Sequence, residues 1–248
     1  MKHTRRKHSL PGGRYWIFGL HAVRAALLNP AREKFRLVLT PNSAVKLVSA
    51  VRQAGIEAEI ADTRRLPAPL DPGSVHQGAA LEVLPLSWPA LGDLCAGQGE
   101  TARIVVLDRV SDPHNAGAVI RSAAAFGAIA MLAPLRHSPP ETGTMAKSAS
   151  GALETLPYVR VSNLAAALGQ LRRESFSLLG FAADGNVTVD SLPKIVRSGR
   201  QALVLGSEGE GLRRLTREKC DFICRLCDGS LNLSNAASVA LYATSIDN

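Results

Sequence analysis

Three segments rich in Gly, Asn and Ser contain the polar side chains best suited to chemistry. The first, residues 111–117, holds Asn115 and leads into an apolar stretch that carries Arg121. We expect Asn115 to cap a helix there, and Gly117 to let another backbone approach closely. A guanidinium on an apolar helix needs either a path to solvent or an anionic partner. Arg121 is therefore either a surface residue with a buried stem or part of an anion site.

The second segment, residues 206–211, is a glycine-rich turn that contains Glu208 and Glu210. Such turns are common after strands, and this one lacks the spacing of a dinucleotide-binding loop. Its two carboxylates disfavour phosphates and suit a ligand with a positive centre. The alternative is an acidic helix start that complements the helix dipole.

The third segment, residues 228–235, places small polar residues in front of an apolar stretch that runs to Ala243. Some of them must cap the helix that this stretch predicts. Four small polar residues are more than one helix terminus requires for capping, so we expect the others to form hydrogen bonds to a neighbouring loop or a ligand. The four residues are Ser230, Asn232, Ser234 and Asn235.

Strands alternate with helices from Arg103 onward, which predicts a mostly parallel α/β sheet covered on both faces. In such sheets, ligands bind at the carboxyl ends of the strands. The three polar segments all lie at predicted strand ends. The predicted strands are 104–107, 128–132, 177–181, 202–205 and 222–226, and the predicted helices are 115–126, 162–173, 209–216 and 234–243.

The front of the chain predicts a second, smaller α/β unit. Its elements are a helix at 20–28, a strand at 35–39, a helix at 44–54, and strands at 58–60 and 79–83. Pro and Gly then punctuate a stretch without periodicity, which is typical of a linker. We expect a disordered basic arm at 1–13, a small domain at 14–84, a linker at 85–101 and a large domain at 102–248.

The net charge of +8 is concentrated at the front of the chain. Residues 1–36 carry nine Lys or Arg and one acid, whereas the remainder holds 20 bases and 20 acids. A basic arm beside a folded domain suits a polyanion such as RNA, although it could also serve only solubility. No apolar stretch reaches the ~20 residues needed to span a bilayer, and the N-terminus lacks the apolar core of a secretory signal. We therefore expect a cytoplasmic protein with no membrane association.

In order and spacing, the three segments resemble the sequence motifs of the SpoU/TrmH family of RNA 2'-O-ribose methyltransferases, within the SPOUT superfamily. The resemblance covers most of residues 103–243, and the part from 17–23 to 76–80 resembles the ribosomal-protein-like RNA-binding domain of the rRNA-modifying branch. It implies a parallel-sheet SPOUT domain with a deep trefoil knot, a homodimer through that domain, and S-adenosylmethionine as methyl donor without a metal. It also implies a guanosine of 23S rRNA as the methyl acceptor.

The resemblance assigns site residues by position. The motif Asn and Arg fall on Asn115 and Arg121, the motif Glu on Glu208, and the Ser-x-Asn on Ser230 and Asn232. Contacts to the methyl donor fall on Leu205, Gly206, Leu226 and Leu231. The chain departs from the family where Leu226-Cys-Asp-Gly229 leads straight into Ser230, because the family usually has Ile-Pro-Met and a longer loop there.

The implied reaction is an in-line attack of a ribose 2'-oxygen on a sulfonium methyl group, for which positioning should dominate. Arg121 has been assigned as general base in the family, but an arginine is almost fully protonated at neutral pH. Our hypothesis is that Arg121 holds the RNA phosphate and polarises the 2'-hydroxyl.

Three other interpretations compete with this one. Cys220, Cys224 and Cys227 match the spacing of a radical S-adenosylmethionine cluster, but only 21 residues follow Cys227, too few for the barrel that normally follows. We interpret them as reduced thiols rather than cluster, zinc or disulfide residues. The substrate could instead be a tRNA guanosine. The chain could also be a non-catalytic RNA-binding homologue, which need not bind the donor.

Overall fold

The described residues, 13–62, 66–71, 73–188, 191 and 199–245, form two β-sheets with helices in a computed structural model. The smaller sheet contains β1 (Tyr15–Phe18), β2 (Lys34–Leu39), β3 (Ala58–Ile60) and β4 (Ala79–Val83), in the order β1-β4-β2-β3. It agrees with the predicted front unit and adds β1, which was not predicted. The predicted basic arm lies outside the described residues except for Gly13.

Two helices connect the strands of the smaller sheet, α1 (Leu20–Leu28) and α2 (Pro41–Ala54). Helix α2 begins three residues before the predicted start. Thr40 and Ser43 form a capping box at its N-terminus, and Pro41 occupies the first turn, where its missing N–H has no cost. It ends at Gly55, whose φ of 63° is a left-handed conformation that glycine adopts readily.

The larger sheet confirms the predicted parallel arrangement. Its strands pair in parallel throughout, in the order β7-β6-β5-β10-β8-β11-β9. Strands β7 and β9 were not predicted. The seven strands are β5 (Ala102–Asp108), β6 (Ala130–Pro134), β7 (Tyr158–Val161), β8 (Ser177–Phe181), β9 (Val187–Thr188), β10 (Arg200–Gly206) and β11 (Phe222–Arg225).

The rest of the chain contains six α-helices among the described residues, and a 3-10 helix at Ala152–Glu154. One of them, α3, lies inside the stretch predicted as linker, and α5 was not predicted. The six are α3 (Leu91–Ala96), α4 (Pro113–Ala125), α5 (Gly143–Ala149), α6 (Leu164–Arg173), α7 (Arg214–Arg217) and α8 (Leu233–Ala243).

Two local predictions were wrong. Asn115 does not cap α4, because Asp112 occupies the N-cap position and its side chain accepts a hydrogen bond from the backbone N–H of His114. In place of the helix predicted at 209–216, only the short helix α7 (Arg214–Arg217) forms. The preceding residues form a tight turn instead, with Gly209 and Gly211 at φ of 89° and 67°, and the N–H of Gly211 donates to the carbonyl of Ser207.

Helix α5 lies between the two units and packs against both. A Cβ at Gly143 would lie 2.2 Å from the carbonyl oxygen of Trp16 in β1, and one at Gly117 of α4 would lie 2.4 Å from the carbonyl oxygen of Met145. One cluster of buried apolar side chains includes residues of both sheets, such as Leu37 and Leu107. The two units therefore share a hydrophobic core. No helix within the described residues is long and apolar enough to span a membrane.

Candidate active site

The three polar segments meet at the carboxylate of Glu208. Its Oε1 accepts hydrogen bonds from Asn115 Nδ2 at 3.0 Å and from Asn232 Nδ2 at 2.8 Å. The backbone N–H of Leu233 donates to the same oxygen at 3.3 Å. One carboxylate oxygen therefore joins three segments that lie far apart along the chain, as expected if they form one site.

The fold explains this convergence. Strands β5 and β10 are neighbours in the parallel sheet, so the segments that follow them emerge side by side. Asn115 stands in the first turn of α4, Glu208 follows β10, and Asn232 is the N-cap of α8. Helices α4 and α8 pack together, and the Oγ atoms of Ser122 and Ser238 lie 2.9 Å apart. The two amides are thus brought to Glu208 by the packing of their helices.

An ion pair between a buried Asp108 and a partly exposed Arg213, which the sequence did not predict, anchors the turn that carries Glu208. The carboxylate of Asp108, at the end of β5, is fully buried and accepts from Arg213 Nε at 2.7 Å and from its backbone N–H at 3.1 Å. Next to it, Arg109 Nη1 lies 3.4 Å from Glu210 Oε2. An acid at the end of an otherwise apolar strand is the sequence signal that could have indicated the Asp108 contact.

A cavity opens at the carboxyl ends of β8, β10 and β11. The residues expected to contact the donor line its wall together with Glu208 and Ser230; they are Leu205, Gly206, Leu226 and Leu231. A Cβ at Gly206 would lie 2.0 Å from the carbonyl carbon of Gly211. Only glycine fits there, which keeps the turn folded tightly against the strand end.

Arg121 stands apart from the Glu208 hydrogen bonds. It is exposed on α4, on the same helical stripe as His114 seven residues earlier. Within the described part of the chain its guanidinium makes no hydrogen bond or ion pair. The side chain therefore has the solvent access expected of it, and all its donors are available to a ligand. Ser230 is also exposed and lines the cavity without bonding to Glu208.

The cysteines do not form a metal site among the residues described. Cys224 is buried and Cys220 is partly buried, and burial raises the pKa of both thiols to about 12. Metal ligation requires thiolates, which such environments disfavour. No cluster of three or more His, Cys, Asp or Glu side chains suited to a metal occurs within the described ranges. Cys227 is exposed and lines the cavity.

A parallel sheet with a cavity at its carboxyl edge, where a Glu joins two Asn residues, defines the chain as an α/β protein with a candidate ligand site at that edge. Residues 102–242 match the SpoU rRNA Methylase family, and residues 16–89 match the RNA 2'-O ribose methyltransferase substrate binding family. The chain therefore belongs to the SpoU rRNA methylase family.

Curated relatives agree with this assignment, and a solved structure agrees with the fold. The chain is 37% identical to 23S rRNA (guanosine-2'-O-)-methyltransferase RlmB of Escherichia coli K12, over 91% of this chain and 96% of that protein. It is 38% identical to RlmB of Xylella fastidiosa Temecula1, over 92% and 94% of the two chains. The fold is similar to that of the SpoU methyltransferase AviRb from Streptomyces viridochromogenes in complex with AdoMet, with a TM-score of 0.74, 22% identity, and coverage of 94% and 89%.

Proposed function

We propose that this chain transfers a methyl group from S-adenosylmethionine to the ribose 2'-hydroxyl of a guanosine in 23S rRNA. The observation that carries the proposal is the Glu208 carboxylate, which joins Asn115 and Asn232 at the rim of the cavity. The curated relatives, which match over nearly their whole length, are named for this reaction.

The cavity suits the donor. Apolar side chains of Leu205, Leu226 and Leu231 line it beside the backbone of Gly206, which matches an adenosine, and the Glu208 carboxylate on the wall suits a positive centre. When bound, S-adenosylmethionine supplies an electrophilic methyl group on a sulfonium. The residues that follow β10 and β11 would hold it through backbone groups, and the Gly206 turn would exclude water from that side.

The chain's polar residues would position the acceptor ribose. Glu208, which lines the cavity, holds both Asn amides in place, and Ser230 lines the same cavity. Arg121 is free of protein partners within the described residues, so it can clamp the RNA phosphate and polarise the 2'-hydroxyl. An arginine remains protonated at neutral pH, so the proton would leave late, through that phosphate.

The proposed arrangement assigns RNA binding to residues 14–84 and catalysis to residues 102–248, joined by residues 85–101 and preceded by the basic arm 1–13. The substrate-binding match to residues 16–89 supports it. We also propose a homodimer through the catalytic unit, since Val239 and Tyr242 of α8 are 39% and 57% exposed. The trefoil knot and a cytoplasmic location belong to the same proposal.

The test compares two substrates under one condition. The purified chain is incubated with radiolabelled S-adenosylmethionine and with either 23S rRNA or bulk tRNA. We expect label only in the rRNA, and Asn232→Ala should abolish it. Label in tRNA alone would favour a tRNA guanosine methyltransferase. Failure to bind the donor in calorimetry would favour a non-catalytic RNA-binding homologue.

A further inference from the structure

The side chain of Arg32, in the front unit, is fully buried against two glutamates of the catalytic unit. Its Nη2 and Nε donate to the two carboxylate oxygens of Glu154 at 2.8 and 3.0 Å. Its Nη1 donates to Glu141 Oε2 at 2.9 Å. The guanidinium therefore contacts Glu141, which precedes α5, and Glu154, which ends the 3-10 helix that follows α5, with a two-pronged geometry on Glu154.

Neighbouring groups complete this network. The Tyr15 hydroxyl donates to Glu141 Oε2 at 2.7 Å, and Asn29 Nδ2 donates to Glu154 Oε2 at 2.9 Å. Burial, followed by the charge of Glu141, raises the pKa of Tyr15 well above its ordinary value, so its hydroxyl remains a donor. Every partner of Glu154 in this network comes from the front unit.

A buried ion pair of this kind contributes little net stability compared with apolar side chains of the same size. What it does impose is geometry, because charges removed from water tolerate only the arrangement that pairs them. The two-pronged contact is directional, so a small shift between the two units would break it. The network therefore specifies one orientation of the front unit on the catalytic unit.

Helix α5 transmits that orientation to the site. Gly143, at its start, contacts Trp16 of β1, and Met145 contacts Gly117 of α4. Further along, Ser148 Oγ lies 3.0 Å from His114 Nδ1, next to Asn115. A shift of the front unit would thus reach the helix that carries Asn115 and Arg121.

We propose that Arg32 is a positioning residue that determines which nucleotide of the bound RNA reaches the methyl-transfer site. This inference rests on the proposed function. The front unit binds the RNA at a distance from the reacting atoms, so the angle between the two units sets the register of the RNA in the cavity. Arg32, through Glu141 and Glu154, fixes that angle.

The experiment uses the full chain and compares Arg32→Met with Arg36→Met. Arg36 is the matched control because its substitution removes the same charge from the same unit, but its pair with Glu59 is exposed. Ribose methylation is mapped nucleotide by nucleotide on 23S rRNA, and donor affinity is measured by calorimetry. We expect Arg32→Met to keep the donor affinity, to lose about 100-fold in methylation of the target, and to spread the residual methylation to neighbouring nucleotides. Arg36→Met should methylate the same nucleotide as the unsubstituted chain.

Arg32→Met leaves two buried carboxylates unpaired and could prevent folding. A triple variant, Arg32→Met with Glu141→Gln and Glu154→Gln, removes all three charges at similar volume and should fold. It should spread methylation in the same way. An unchanged methylation pattern and rate in the triple variant would overturn the proposal, and so would loss of donor binding together with methylation, since Arg32 would then only support the catalytic fold.

A distance measurement separates failure of this inference from failure of the proposed function. Spin labels on exposed positions of α2 and α6 report the orientation of the two units, and the distribution of label distances should be narrow in the unsubstituted chain and broader or shifted in the triple variant. If the chain methylates no RNA but this difference appears, the proposed function is wrong and the orienting role of Arg32 remains. Equal distributions in both proteins count against that role.

Discussion

The contact between α4 and α5 at Gly117 predicts a large effect from one methyl group. A Cβ at this position would lie 2.4 Å from the Met145 carbonyl oxygen, and ordinary contact begins at 3.4 Å. In Gly117→Ala the two helices must therefore separate by about 1 Å, an overpacking that costs about 1–3 kcal/mol of unfolding free energy. For a chain of this size, each kcal/mol lowers Tm by about 2–4 °C. A displacement of this size in the helix that carries Asn115 should also slow methyl transfer by about 100-fold.

Gly169→Ala provides the matched control. Gly169 lies within α6, and the nearest atom to its added Cβ would be Arg173 Nη1 at 3.9 Å. The same substitution should raise stability there by about 0.5–1 kcal/mol, because alanine favours a helix more than glycine does. Calorimetric unfolding and radiolabelled methyl transfer measure both effects. If Gly117→Ala were as stable and active as the unsubstituted chain, the close packing of α4 on α5 would be refuted.

Four further predictions concern the site and the cysteines. Glu208→Gln keeps an acceptor oxygen and should retain more methyl transfer than Glu208→Ala, which should lose about 100-fold; equal rates would contradict its role as the joining acceptor. Arg121→Lys should retain part of the activity that Arg121→Ala loses, whereas complete and equal loss with RNA binding intact would favour a specialised base over a phosphate clamp. Because burial raises the pKa of Cys220 and Cys224 to about 12 and Cys95 is fully buried, a thiol reagent at pH 8 should modify Cys227 alone, as read by mass spectrometry. The raised pKa values of Cys220 and Cys224 also make the free energy of unfolding depend on pH. Their contribution to stability is fully present below the unfolded pKa of about 8.5 and is lost as the pH rises toward 12. Unfolding measured by titration should therefore show stability falling over that range.

Much of the fold was predictable because local pattern and tertiary environment agree. The strands at Ala58–Ile60, Ala79–Val83 and Ser177–Phe181 and the helix Leu20–Leu28 have the predicted bounds. Apolar periodicity bounded by Gly and polar residues defined them. The convergence of the three polar segments was predictable because the strands of a parallel sheet have their carboxyl ends at one edge.

The remainder depended on contacts that no local pattern contains. Helix α5 is short and glycine-started, and its position comes from packing between β1 and α4. At 209–216 apolar spacing indicated a helix. The first residues instead form a tight turn, because Gly209 and Gly211 adopt left-handed conformations and the carbonyl of Ser207 accepts a hydrogen bond from the N–H of Gly211. The Arg32 network joins residues more than a hundred positions apart. From the sequence alone, Arg32 was only one of the basic residues in the front segment.

The proposed reaction requires one site in which a methyl donor and a ribose hydroxyl meet beside Glu208. The most direct measurement maps 2'-O-methylation at nucleotide resolution after incubating the chain with S-adenosylmethionine and 23S rRNA, and repeats it with RNA that carries a 2'-deoxy sugar at the modified position. We expect a single methylated guanosine, and we expect that methylation to disappear in the deoxy RNA. Methylation that persists on the deoxy RNA, or falls on a base rather than a ribose, would contradict it.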